Sequence, residues 1–322
     1  MYKKIDNPHD TRAKILFSNK KTFLSLLRDC VKTEWVDDID PASLRKMDKS
    51  FILPDFSGKE ADIVYEAVFD GQKIIFYVLL ELQSNVDFTM PYRLLLYIVE
   101  ILRDFYNNSD IQARGNKDFR FPAIYPLVFY SGGGEWTAPV SLKEIFGAYE
   151  VFGSNILNFD YALVPVKGYT KEDLQLFSSK LLGLAMLLEK SRSETEFIES
   201  LRQSYDAIKT FDEEEQRILN AYIKIMENAY GFDTRGAIQI LTADSEREKE
   251  ADQMLSDVLE YAKVKDAKLL EQGIKTGIKR GIKTGIKRGK LKVAREMLRE
   301  NYSVDSIMRI TKLSKEQIEA LK

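Results

Sequence analysis

The sequence is poor in the residues most often recruited for nucleophilic and soft-metal chemistry. It has one cysteine, Cys30, and one histidine, His9, in 322 residues. A single cysteine forms no disulfide within the chain, which suits a reducing compartment. Cys30 falls in an amphipathic pattern and reads as a small buried hydrophobe. With one histidine, a Cys/His zinc site cannot be assembled, and a Ser–His or Cys–His mechanism would have to use His9, which reads more simply as a surface residue. Any metal chemistry must run mainly on carboxylates, which points to Mg²⁺ or Mn²⁺ rather than zinc. Long apolar runs are also missing. No stretch reaches the ~18 consecutive apolar residues of a membrane span. The opening residues, MYKKIDNPHDTRAK, lack the apolar core of a secretion signal. The expected location is cytoplasmic, with no membrane partner.

What is present fits a globular protein: 44% hydrophobic and 30% charged residues, in a chain long enough for one sizeable α/β domain with appendages. The net charge of −2 is unevenly spread. Gly273 to Arg295 holds nine Lys or Arg and no acid, which leaves −11 for the remainder. That asymmetry describes a basic arm on an acidic body.

The most informative stretch is 60–84, EADIVYEAVFDGQKIIFYVLLELQS. Ala61 to Val68 is β-prone with partial alternation, Asp70-Gly71 is a strong turn dipeptide, and Lys73 to Leu82 is nearly unbroken apolar chain. A two-residue turn would set Asp62 opposite Leu79. Glu81 is then the diagonal neighbour of Asp62, and Gln83, two residues on, shares the face. Two carboxylates in apolar surroundings either ligate a hard cation or belong to a solvated strand end. The residues alone leave both readings open.

Asp62 followed by Glu81-x-Gln83 resembles the PD-(D/E)XK nuclease signature, with Gln in place of Lys. The wider text resembles the recombination-promoting nuclease (Rpn)/putative transposase family over roughly residues 7–240. It includes His9-Asp10, Leu80-Glu81-Leu82-Gln83-Ser84, Met90 to Tyr97, and Pro126 to Gly132 with Glu135-Trp136. The resemblance implies an α/β fold: a PD-(D/E)XK-like restriction-endonuclease core with a mixed sheet of about four to five strands flanked by helices. It implies Mg²⁺- or Mn²⁺-dependent cleavage of DNA, associated with recombination, mobile elements or defence. Asp62 and Glu81 would hold the metal with the Leu82 backbone carbonyl, and Gln83 would orient water or a phosphate oxygen. Gln carries no charge and cannot act as a base, so Arg93 is the nearest compensating cation. Asp10 is an accessory acid or simply a helix-start residue. Arg93 and Tyr97, four apart on one helix face, are phosphate contacts or a surface pair. A scaffold that binds DNA or oligomerises without cutting is the alternative.

The rest of the chain divides by texture. Residues 1–170 form the expected core. They include helices over Asp10 to Phe17 and Thr22 to Val31, a short strand at Phe51 to Leu53, a helix from Thr89 to Tyr106, and strands at Ala123 to Tyr130 and Tyr161 to Val164. Ser131 to Gly134 reads as a flexible turn. Residues 171–272 are an amphipathic helical extension. Residues 273–290 repeat GIKTGIKR with glycine at every fourth position, which costs roughly 4–5 kcal/mol of helix propensity in sum and predicts a marginal helix. Lys275, Lys279, Arg280, Lys283, Lys287 and Arg288 would suit phosphates. Helix-pair oligomerisation through the C-terminal helices and a basic linker are the alternatives. Residues 291–322 read as a small helical module with cap signals at Ser303 and Ser314.

Overall fold

A computed structural model describes residues 8–47, 62–69, 71–81, 86–232 and 248–321, with the backbone alone at 8–10, 62, 77–81 and 248–255. Five strands make one mixed sheet in chain order: β1 (Arg45–Lys46), β2 (Asp62–Phe69), β3 (Gln72–Glu81), β4 (Ala123–Tyr130) and β5 (Ala162–Pro165). β1–β2 and β2–β3 are antiparallel; β3–β4 and β4–β5 are parallel. Phe69 pairs with Gln72, so the hairpin closes on two residues, with Gly71 at φ +71°. That left-handed conformation suits glycine and explains the turn dipeptide. The strand expected at Phe51 to Leu53 lies outside the described residues.

Strand alternation sorts the sheet into two apolar faces. On one face Ile63, Tyr65, Ala67, Phe76, Leu127, Phe129 and Val164 join a core with helices α1 (Pro8–Leu16) and α2 (Lys20–Ser25). Tyr65 donates its hydroxyl proton to the Phe17 carbonyl at 2.8 Å and stacks on Phe23 at 4.1 Å. On the other face Val64, Ile75 and Val128 pack beneath helix α3 (Met90–Asn108) through Met90, Leu94, Tyr97 and Ile101.

Helices α4 (Lys171–Leu176), α5 (Lys180–Lys190), α6 (Glu194–Gln203) and α7 (Glu213–Tyr230) complete the first core. Sequence alone reads 171–190 as one helix. It breaks because Ser179 turns extended and its hydroxyl caps Leu182 N–H. Asp212 and Glu215 form the capping box that starts α7, so the Glu213-Glu214-Glu215 run is a helix start.

The chain forms two compact units, the second beginning at Glu260. Helix α8 (Glu248–Arg299) is continuous through the GIKTGIKR repeat. The glycine content predicted a marginal helix there. The Lys, Arg and Ile between the glycines favour helix, and elongation from either flank needs no new nucleus. In the second unit α9 (Val304–Thr311) and α10 (Lys315–Glu319) fold back on the end of α8, burying Ala294, Ile307, Leu313 and Ile318. Ser303 caps α9, and Ser314 with Gln317 forms the expected capping box. Among the described residues no helix is long and apolar enough to cross a membrane.

Candidate functional site at the carboxyl end of the parallel strands

The carboxyl ends of β3, β4 and β5 meet the amino end of β2 at one edge of the sheet. Asp62 pairs with Leu79, and Glu81 with Tyr130, which in turn pairs with Pro165. The pleat therefore sets positions 62, 79, 81 and 130 on one face, the face that carries α3. Position 81 is the diagonal neighbour of position 62, the relation the two-residue turn predicts. In open α/β sheets, ligands bind outside the carboxyl ends of strands. Gln83 and the Leu82 carbonyl lie outside the described residues. Among the described residues no three His, Cys, Asp or Glu side chains gather closely enough to hold a cation; the side chains at 62 and 81 are not among those described.

Helix α3 brings Arg93 and Tyr97 to this face, both buried, at 3% and 2% exposure. Arg93 is an internal ion pair: its Nη1 donates to Asp87 Oδ2 at 2.7 Å. Asp87 also accepts from the Thr89 backbone N–H at 2.9 Å and hydroxyl at 2.6 Å. Thr89, at the N-cap position of α3, makes no side-chain cap bond to the helix. Burial works against the Asp87 charge, but the hydrogen bonds from Thr89 and Arg93 outweigh it and hold its pKa below the usual carboxylate value. A depressed carboxylate contributes stability above its unfolded pKa of about 3.9 and loses it as pH falls through the folded value. Asp87→Asn should therefore cost about 1–3 kcal/mol at pH 7, with the gap to wild type closing below about pH 4. Urea unfolding at pH 7 and pH 3 measures it, and equal gaps at both would contradict the assignment.

Helix α1, which carries position 10, packs on the opposite face of the sheet through Ala13 and Leu16. The cationic residues of the repeat belong to the second unit. Lys279, Arg280, Lys283, Lys287 and Arg288 are exposed along α8, and Lys275 pairs with Glu271 at 2.6 Å.

Three residues of the corner carried no role in the sequence: Asp87, Tyr130 and Tyr161. Tyr130 is 2% exposed and its ring meets Trp136 edge-on at 4.9 Å. Trp136 Nε1 donates to Tyr161 Oη at 3.0 Å, and Tyr161 donates to the Pro139 carbonyl at 2.8 Å. Burial pushes the Tyr161 pKa up, keeping it a neutral donor. Gly132 also has a packing role: a Cβ there would collide with the Tyr130 ring. Tyr130 and Trp136 stand in stretches singled out for their wording, so the signal was present without its geometry.

Residues 7–219 match the model of a family described as "Putative transposase, YhgA-like". No curated protein and no solved structure matches the chain.

Proposed function

The chain belongs to the family described as "Putative transposase, YhgA-like", and from that premise we propose that it is a metal-dependent DNA endonuclease on a PD-(D/E)XK-like core, acting in recombination, mobile-element movement or defence. The observation that carries this reading is the strand register, which sets positions 62 and 81 diagonally on one face at the carboxyl end of β3. The donor set, two carboxylates and the Leu82 carbonyl, is all hard oxygen and fits Mg²⁺ or Mn²⁺. When bound, such a cation would polarise the scissile phosphate and lower the pKa of an attacking water.

The chain's own residues do the rest. Asp62 and Glu81 would hold the cation from adjacent antiparallel strands, whose spacing is fixed by backbone hydrogen bonds rather than by a loop. Gln83 hydrogen-bonds the attacking water or a phosphate oxygen and orients it, without supplying charge or accepting the proton. Arg93, paired with Asp87, ties that acid to α3; its charge is largely spent there.

A second reading is favoured by the exposed basic face of α8: a protein that binds DNA without cutting it. The two readings share one prediction. Replacing Lys275, Lys279, Arg280, Lys283, Lys287 and Arg288 together by Gln should weaken DNA binding and reduce the slope of log K against log salt by about 5, if all six contact phosphates. Gel shifts across a salt series measure the slope. An unchanged slope would remove α8 from DNA contact and favour its oligomerising role. Mn²⁺ binding separates the readings: an endonuclease binds Mn²⁺ and loses it on Asp62→Ala, whereas a bare scaffold shows no carboxylate-dependent binding.

A further inference from the structure

Tyr130 presents a buried phenol whose hydroxyl has no hydrogen-bond partner among the described residues. Leaving a buried hydroxyl unpaired costs about 1–3 kcal/mol, so the position calls for a partner. The ring is not free to turn outward to find one. Trp136 abuts it edge-on, and Trp136 is itself tied through Tyr161 to the Pro139 backbone. Gly132, which lacks a Cβ, lets the outer edge of the ring and its hydroxyl lie directly over the backbone. The ring is thus positioned in advance, and only its hydroxyl lacks a bond.

The register gives the neighbour of position 130 across the sheet. Position 130 of β4 is the direct partner of position 81 of β3, on the same face of the sheet. Carboxylates that ligate metals are themselves hydrogen-bonded, and the donors that orient them affect metal affinity by tenfold or more. We propose that Tyr130 is a positioning residue that donates its hydroxyl proton to the Glu81 carboxylate, holding it in the orientation that binds the divalent cation. The Trp136–Tyr161–Pro139 chain is the buttress that keeps the phenol aimed, and glycine at 132 provides the clearance. Tyr130 touches neither substrate nor cation. The inference rests on the assignment of Glu81 as a metal ligand and adds the residue that orients it.

The test is Mn²⁺ titration of the full chain without DNA, for wild type, Tyr130→Phe, Glu81→Gln and the double variant. Phe keeps the ring and its contact with Trp136. Tyr130→Phe is expected to bind Mn²⁺ about tenfold more weakly than wild type. The double variant should bind no more weakly than Glu81→Gln alone, because the phenol acts through the carboxylate. If Tyr130→Phe binds within twofold of wild type while Glu81→Gln is impaired, the hydroxyl serves another partner and the proposal fails alone. If the double variant loses a further tenfold, Tyr130 acts independently of Glu81, and the proposal again fails. If Glu81→Gln binds as wild type does, the metal-ligand assignment fails, and this inference falls with it.

Discussion

Replacing Glu189 with leucine is expected to lower stability by about 3–5 kcal/mol, the cost of leaving a buried cation without its partner. Arg12 on α1 is fully buried; its Nε and Nη2 reach the two carboxylate oxygens of Glu189 on α5 at 2.9 and 3.1 Å. Tyr222 of α7 donates to the same carboxylate at 2.5 Å, and the guanidinium lies over the rings of Tyr222 and Tyr230. Burial pulls the Arg12 pKa down, but Tyr222 and Glu189 facing it push it above its usual value. Arg12 therefore stays charged, and removing Glu189 cannot be relieved by loss of a proton. The double variant Arg12→Met/Glu189→Leu should recover most of the loss, since a buried pair replaced by apolar residues of similar size is close to neutral. Denaturant unfolding of the two variants measures this. A single variant within 1 kcal/mol of wild type would mean that the network does not clamp α1, α5 and α7 together.

How much of this was legible in the sequence follows from how local each signal is. The hairpin register needs only the turn dipeptide and two β-prone runs, so the pairing of Asp62 with Leu79 follows by counting outward from the turn. The bounds of β4 coincide with its apolar run, Ala123 to Tyr130. β1 escaped notice because Arg45–Lys46 is two polar residues long, and its place is fixed by pairing with β2 rather than by any pattern of its own. Thr22 to Val31 reads as one helix, yet the stretch from Leu26 to Val31 widens into a π-helix ended by Lys32 at φ 54°, a change that apolar spacing does not encode. The Arg12–Glu189 pair spans 177 residues and has no sequence signature at all. Around the candidate site, two acids were recognisable as a motif. Asp87 and Tyr130 acquire meaning only once α3 and β4 are laid beside β3. Tyr130 has no distinguishing sequence context beyond a short tyrosine-serine-glycine turn; its unpaired hydroxyl is a fact of packing.

The second large effect concerns the chemistry. Asp62→Ala and Glu81→Ala should each reduce DNA cleavage by at least about 1,000-fold, equivalent to about 4 kcal/mol of transition-state stabilisation. Each variant removes one of only two carboxylates assigned to the cation. The effect should fall on activity rather than on folding. Both positions lie at strand ends, and removing one of two neighbouring carboxylates relieves their repulsion in the metal-free protein. Gln83→Ala should show a smaller loss than either, because an uncharged amide that orients water contributes less than a ligand that holds the cation.

Conversion of supercoiled plasmid to nicked and linear forms, in Mg²⁺ or Mn²⁺ with EDTA as control, tests the central claim most directly. Wild type, Asp62→Ala and Glu81→Ala are compared at equal concentration. Wild type is expected to cleave in a metal-dependent way, and neither variant is expected to cleave. Equal cleavage by all three would place the activity elsewhere and contradict the site. No cleavage by any of them, with salt-sensitive DNA binding retained, would contradict the endonuclease assignment and leave the DNA-binding scaffold in its place.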